Sequence, residues 1–419
     1  MCGATFVLIL AAGGAFFVAF NNGANDVANA FASAVGAKAL KIKHALLIAA
    51  VLNLTGALVL GSNVSKTLVD GVINIQCFKD TNVYVAGMLA CMVAAGGFIF
   101  ISTHTGLPVS STHAIVGGFM GIAMVTNGFA AINWKSFLAL ALSWIFTPFV
   151  TAICSFGTLK LIKLTIYRSD QAETMRRACK WIPIFTSFII IFICIAIARG
   201  VKFWHDSVHR KKALCALMLC VPLVHMVLRK ITRRLTEKFT SRGPFGIEHV
   251  FRRFQAGTSC LLGFAIGSND VANSVAPVIV IYLIQKFGTI PASFASDSIP
   301  IWMLAVGGIG MSVGVLSLGH KVIGTLGKNI TLLTNSKGFS VDFATAMTII
   351  SASVFGIPVS STHAATGAII GVGVENGLGG LNLHLLLRIF ITWLITVPAS
   401  AIFTIFIYFL VRPLMLLFF

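Results

Sequence analysis

Apolar runs long enough to cross a bilayer recur along the whole chain, and nothing else in the sequence limits its fold so strongly. They lie near 4–20, 44–61, 83–103, 109–126, 136–160, 181–199, 212–228, 256–286, 299–319, 341–357, 359–374 and 383–411. A bilayer core of roughly 30 Å takes about 20 apolar residues as a helix, so about twelve spans are predicted, with 109–126, 341–357 and 359–374 short. Composition agrees: of 419 residues 57% are hydrophobic and 10% charged, and the mean hydropathy is +0.94. The reading is an all-α, multi-pass integral membrane protein. The first apolar run has no basic leader and flows into "NNGANDVANA", so it is expected to be retained rather than cleaved as a signal peptide.

Basic residues orient the spans. Twenty of the 31 Lys and Arg fall in the odd-numbered connections and nine in the even-numbered ones, which places the odd connections in the cytoplasm and both termini outside the cell, with the plasma membrane as the expected location. Eight of them crowd "RKITRRLTEKFTSRGPFGIEHVFRRF" at 229–254. An inside-loop charge bias accounts for that run; acidic lipid head groups are candidate partners, and nucleic acid is not expected between two spans. The nine cysteines are scattered, with Cys77 in an external connection and no CxxC spacing, so neither a zinc site nor a disulfide framework is predicted. Asn63-Val64-Ser65 is a glycosylation sequon close to a helix end.

The chain also repeats itself. "GANDVANA" at 23–30 returns as "GSNDVANS" at 267–274, "PVSSTH" at 108–113 returns unchanged at 358–363, and "TNGFAAINWKSFLALALSWIFTP" at 126–148 is echoed by "ENGLGGLNLHLLLRIFITWLITVP" at 375–398. "TGALVLGSNVSKTL" (55–68) is matched more weakly by "VGVLSLGHKVIGTL" (313–326). The offsets are 244, 250, about 250 and 258, in one order along the chain. The acidic motifs interrupt spans 1 and 8, seven crossings apart, so the halves point oppositely through the membrane. Parity is unchanged if each PVSSTH is the tip of a re-entrant hairpin. The chain therefore divides into a first inverted repeat (1–160), two connecting helices with a basic cytoplasmic loop at 229–253 (161–255), and a second inverted repeat (256–419), an arrangement that builds a substrate site from interrupted helices or hairpins at the midplane.

Both motifs supply chemistry for that site. Pro108 and Pro358 fit the first turn of a helix, where Ser110, Ser111 and Thr112, and likewise Ser360, Ser361 and Thr362, place hydroxyls beside free backbone N–H groups. Such a terminus attracts oxyanions, and two of them facing one point form a tetrahedral-oxyanion cradle. Asp26 and Asp270 lie within apolar segments, where a carboxylate is expensive and is by default functional. With Asn25, Asn29, Asn269 and Asn273 they offer oxygen ligands for a hard cation such as sodium, while Gly23 and Gly267 are expected to let the helices break. An oxyanion beside two ionised aspartates needs cations between them, so co-transport is predicted. His113 and His363 are expected to hydrogen-bond and close the first turn of their helices, with proton relay or anion contact as alternatives. Asp342 is a candidate further cation ligand; Asp297 and Glu375 are expected at the interface.

At these residues the sequence resembles the inorganic phosphate transporter (PiT) family, on "GANDVANAFASAVGAKAL", "GSNDVANS", both PVSSTH motifs with Gly117 and Gly367, and "NITLLTNSKGF" at 329–339. The resemblance implies a twelve-helix, inverted-repeat, homodimeric carrier that moves phosphate by alternating access, with Asp26 and Asp270 essential. Two positions depart from the pattern of many eukaryotic members: Asn53 stands where they have a glutamate before a Thr-Gly pair, and Asp342 where they have a second glutamate. Loss of one carboxylate bears on cation number and on proton coupling.

Other classes fit less well. Channels are commonly assembled from several subunits around a pore, whereas an inverted repeat in one chain indicates a carrier; a hydrolase using Ser111 with His113 has no use for an opposed duplicate, and residues two apart on a helix face differently. The expected function is thus a secondary transporter, not an enzyme, that carries phosphate with sodium and has no cofactor beyond the co-transported ions. Proton coupling and sulfate transport by the same fold are the alternatives.

Overall fold

In the computed structural model, which describes all residues except 1, 79, 106–108, 201–206, 241–244, 291–298, 327–332, 376, 378–380 and 416–419, the twelve predicted segments are twelve α-helices. They are α1 (Cys2–Gly36), α2 (Ile42–Gly71), α3 (Thr81–His104), α4 (Ser111–Asn127), α5 (Trp134–Thr165), α6 (Gln171–Gly200), α7 (Ser207–Phe239), α8 (Gly246–Phe287), α9 (Ile301–Leu326), α10 (Asn335–Val354), α11 (Ser361–Val374) and α12 (Leu383–Met415). Among the described residues, eight helices are long and apolar enough to cross a membrane. The 17 residues of α4 and 14 of α11 reach only about 26 and 21 Å at 1.5 Å per residue. Both follow a turn buried inside the protein: Ser110, Ser111 and Thr112, like Ser360, Ser361 and Thr362, are at most 3% exposed. The α3–α4 and α10–α11 pairs are thus hairpins whose tips end in the interior. Gly356, at φ +69°, closes α10 in the left-handed conformation that side chains disfavour.

The two halves interleave rather than stand apart. Helix α1 packs on α9 and, in the equivalent pairing, α8 packs on α2; likewise α5 packs on α11 and α4 on α12. Each pair joins one repeat to the other. Helices α6 and α7 pack on each other, outside this exchange.

Four expectations change here. The acidic motifs do not interrupt their helices, since α1 and α8 run unbroken through Asp26 and Asp270; the breaks come instead before Ser110 and Ser360. Gly23 and Gly267 serve packing, because a Cβ on Gly23 would lie 2.0 Å from the Met311 carbonyl oxygen and one on Gly267 would lie 2.2 Å from that of Asn53. Backbones can come this close only where one partner lacks a side chain. The basic segment 229–253 is not a loop, because α7 continues to Phe239 and α8 begins at Gly246, its charges being spread along helix faces that neighbouring turns can carry. Pro358 precedes Ser360, the N-cap of α11, so it sits ahead of the first turn rather than in it. Pro108 and Asp297 lie outside the described residues. Asn63 lies within α2 beside the fully buried Val64 and Ser65, where a folded chain does not present a sequon.

These contacts set a stability test. Gly267→Ala should lower the melting temperature, by an overpacking cost of about 1–3 kcal/mol or more. Gly257→Ala, on the same helix with nothing within 4 Å of the new Cβ, should leave it unchanged or raise it slightly. Thermal unfolding of the two purified variants gives the comparison.

Candidate functional site

The hairpin tips meet in the centre. Thr112 Oγ1 donates to the Val359 carbonyl at 3.3 Å, and Thr362 Oγ1 to the Val109 carbonyl at 3.2 Å. Two strands of polar backbone have been brought together from opposite repeats. Ser110 and Ser360 are the N-caps, their hydroxyls accepting from the His113 and His363 N–H groups at 3.2 and 3.3 Å, which leaves each O–H to donate elsewhere. The preceding N–H groups, of Ser111 and Thr112 and of Ser361 and Thr362, belong to the first turns, where α-helices have no internal acceptor.

The acidic helices run past these tips. Asp26 accepts from Asn29 Nδ2 at 3.1 Å and from Ser111 Oγ at 3.2 Å, and Ser361 stands beside Asp270 in the equivalent place. Asn29 Nδ2 also reaches Thr362 Oγ1 at 3.0 Å, while its equivalent Asn273 reaches Ser111 Oγ at 3.1 Å and Thr112 Oγ1 at 3.3 Å. Each acidic helix therefore holds the hairpin tip of the other repeat through an asparagine amide. Farther back, Asn25 Nδ2 bonds Thr103 Oγ1 at 3.1 Å and Asn269 Nδ2 bonds Ser353 Oγ at 3.3 Å, again as equivalents.

The sequence-predicted anion and cation groups are thus one constellation. Asp26 and Asp270, both 0% exposed, are near enough for their charges to act on each other. Among the described residues, the buried charged side chains are Asp26, Asp270 and Asp342, with no Lys or Arg. Asn22 Oδ1 and Asn53 Oδ1 are buried without a hydrogen-bond donor, and Asp270 has only the Ser361 hydroxyl beside it, outside close hydrogen-bond geometry. Oxygen acceptors that lack donors, beside carboxylates that lack counter-charges, are the ligand set of a hard cation.

The histidines do something other than close their own helices. The Ser110 and Ser360 caps already do that, and each imidazole reaches farther, His113 Nδ1 to the Trp393 carbonyl at 3.2 Å and His363 Nδ1 to the Trp144 carbonyl at 2.9 Å. A carbonyl only accepts, so Nδ1 carries the proton in both. The rings form a cluster across the two repeats: His113 lies 3.9 Å from Trp144, the histidines meet edge to face at 4.6 Å, and His363 stacks on Trp393 at 3.6 Å.

Asp342 stands apart from the aspartate pair. It accepts from Ser33 Oγ and Ser259 Oγ, each at 2.5 Å, and Ser33 is seven residues past Asp26 on α1, about 10 Å along the helix. Glu375 pairs with Lys163 at 2.5 Å, outside the site. Sequence reasoning did not single out Thr103, Ser353, Trp144 or Trp393, although all four fall at matching places in the repeats.

If the carboxylates are held in place without counter-charges, neutralising one relieves the fold. Asp270→Asn should melt at the same temperature as the parent or higher in medium free of sodium, and should lose any rise in melting temperature that sodium gives the parent. Melting curves with and without sodium measure both effects.

A family model described as "Phosphate transporter family" matches residues 22–404. A "Putative phosphate permease" of Pyrococcus abyssi is 38% identical over 382 residues, covering 91% of this chain and 92% of its own. Another of the same name, from Haemophilus influenzae, is 34% identical over 405 residues, covering 95% of both. The solved structure described as "The sodium-dependent phosphate transporter" superposes with a TM-score of 0.89 at 36% identity, over 97% of this chain and 99% of that one.

Proposed function

From the premise that the chain belongs to the phosphate transporter family, we propose that it is a symporter carrying inorganic phosphate into the cell with sodium. The observation that carries the coupling is the set of buried carboxylates with no buried Lys or Arg among the described residues, beside a cradle suited to an anion. The solved relative described as sodium-dependent favours sodium over protons.

Site roles follow from the hydrogen bonds. Phosphate is held by the first-turn N–H groups of α4 and α11 and by the O–H groups of Ser110 and Ser360, with Ser111, Thr112, Ser361 and Thr362 lining the cradle. Asp26 and Asp270 hold the cations, with Asn25, Asn29, Asn269 and Asn273 around them. Without cations, the Ser111 hydroxyl and the Asn29 amide are occupied by Asp26. A sodium ion that takes the Asp26 lone pairs releases both donors to turn toward phosphate, and its charge removes the repulsion between anion and carboxylate. Coupling is then local, because the same Ser111 proton cannot serve the carboxylate and the anion at once.

Alternating access uses the interleaved repeats. Helices α1 and α8 cross α9 and α2 at glycines, so the halves rock on close backbone contacts while the hairpin tips stay over the bound ions. Basic residues favour the odd-numbered connections, supporting a plasma-membrane orientation with both termini outside. Homodimerisation and contact with membrane lipids belong to the same reading.

The deciding experiment is labelled phosphate uptake into proteoliposomes under a sodium gradient, then a proton gradient alone, with excess sulfate as competitor. Uptake is expected to follow sodium and to resist sulfate; uptake driven by protons alone would reassign Asp26 and Asp270 as proton carriers. Asp26→Asn and Asp270→Asn should each abolish uptake while leaving expression intact, and normal uptake in either would remove its assigned role. Asn53→Glu should change the number of sodium ions moved per phosphate; an unchanged ratio would separate Asn53 from the coupling.

A further inference from the structure

A groove lies outside the transport site, sharing none of its residues. It runs between α6 and α7, has a volume of about 1340 Å³, and carries Arg176, Arg177, Lys180, Arg229, Lys230 and Arg233 against two carboxylates, Glu173 and Glu237. Those carboxylates are already engaged: Glu173 by Arg176 and Arg177 at 2.7 Å each, and Glu237 by Arg233 at 2.8 Å. Arg229 and Lys230 have no carboxylate partner among the described residues. The groove therefore holds a surplus of fixed positive charge.

Its other end is apolar. One and two helical turns along α6 from Lys180 come Ile184 and Phe188, 39% and 60% exposed, and the preceding turns of α7 present Met226 and Leu223, 60% and 59% exposed. Trp181, at the join, has the Lys180 ammonium 5.7 Å from its ring centre. Tryptophan with lysine at the end of an apolar span is the pattern of the membrane–water boundary. The walls are fixed in register, since Gln171 Nε2 donates to the Thr240 carbonyl at 2.8 Å, Cys179 and Thr236 are in contact at 2.8 Å, and Ser187 meets His225 Nδ1 at 3.1 Å.

We propose that the α6–α7 groove is a binding site for an anionic phospholipid, its phosphate held by Arg229, Lys230 and Lys180 and its acyl chains laid over Ile184, Phe188, Leu223 and Met226. Charge complementarity selects this occupant. A second copy of the chain docked here about a two-fold axis would oppose the same positive surplus to itself, and a soluble anion would leave the exposed apolar wall uncovered. A phospholipid satisfies both ends at once. The inference does not depend on the transport reading, because none of these residues belongs to the cradle.

The test is native mass spectrometry of the full chain in detergent, with phosphatidylglycerol and phosphatidylcholine of matched acyl chains, on the parent and on Arg229→Gln/Lys230→Gln. Two cations, each worth roughly fivefold for an anionic surface, should together weaken phosphatidylglycerol retention by about twenty-five-fold. Phosphatidylcholine retention and uptake in phosphatidylcholine vesicles should not change, which also certifies the variant's fold. Equal retention of the two lipids by the parent, or equal phosphatidylglycerol retention by parent and variant, overturns the proposal. Displacement of the lipid by millimolar glycerol phosphate assigns the cations to a soluble anion and overturns it as well. So does a variant that loses oligomeric mass without losing lipid, since the groove is then a protein interface.

Discussion

The architecture depends on one electrostatic imbalance. Burying Asp26, Asp270 and Asp342 without a buried Lys or Arg among the described residues would be prohibitive if all three stayed ionised and unaccompanied. A fixed lysine would solve the problem and end the transport, since the aspartates would then have no reason to take up a mobile ion. On the proposed reading, the counter-charge that the sequence leaves out is supplied by a co-transported ion. The same logic explains why donors crowd Asp26, where Ser111 and Asn29 stabilise the carboxylate but, being neutral, do not cancel its charge.

Symmetry then does the geometric part. Thr112 reaches Val359 as Thr362 reaches Val109, and His113 reaches the Trp393 carbonyl as His363 reaches that of Trp144, so these contacts of one repeat are returned by the other. Two positive helix starts can face one point only if something holds them against their mutual repulsion. The carbonyl bonds at the tips, the asparagine bridges and the cluster of two histidines and two tryptophans do this. In the proposed cradle the first-turn N–H groups would already be fixed in place, so only the side-chain donors would have to reorient on binding.

What could be read from the sequence followed the physics that leaves a linear trace. Twelve apolar runs, two acidic motifs and two hexapeptides have fixed spacings, and the fold places all of them as helices and a shared centre. Contacts made at long range left weaker traces. Continuity of α1 and α8 through Asn and Gly was not legible, because those residues break helices in water, whereas here tertiary contact with Met311 and Asn53 holds the helix and uses the absent Cβ. The histidines were misjudged for a related reason: their partners, Trp144 and Trp393, lie in other helices, and only the matched position of each tryptophan within its repeat connected them. The 229–253 segment read as a loop because charge density suggests one, while an α6–α7 pair can carry those charges on its faces.

The departures from symmetry bear on direction. Two states exchanged by a perfect internal two-fold would have equal energy, and a carrier so built would have no preferred resting face. The polar groups that lack an equivalent break this degeneracy: at the repeat offsets, Asn22 and Asn53 of the first half correspond to Ile266 and Met311, while Asp342, Ser33 and Ser259 correspond to Met92, Pro277 and Ala15. The duplicated residues make the central site, while Asp342 and its partners Ser33 and Ser259 lie off that site along α10, α1 and α8. Asp342 with its two hydroxyls is a polar knot where the other half has a buried methionine packed on Gly14. Opening the protein past Asp342 exposes a carboxylate to water; opening it past Met92 exposes an apolar side chain, so the two openings differ in cost although the site they uncover is the same.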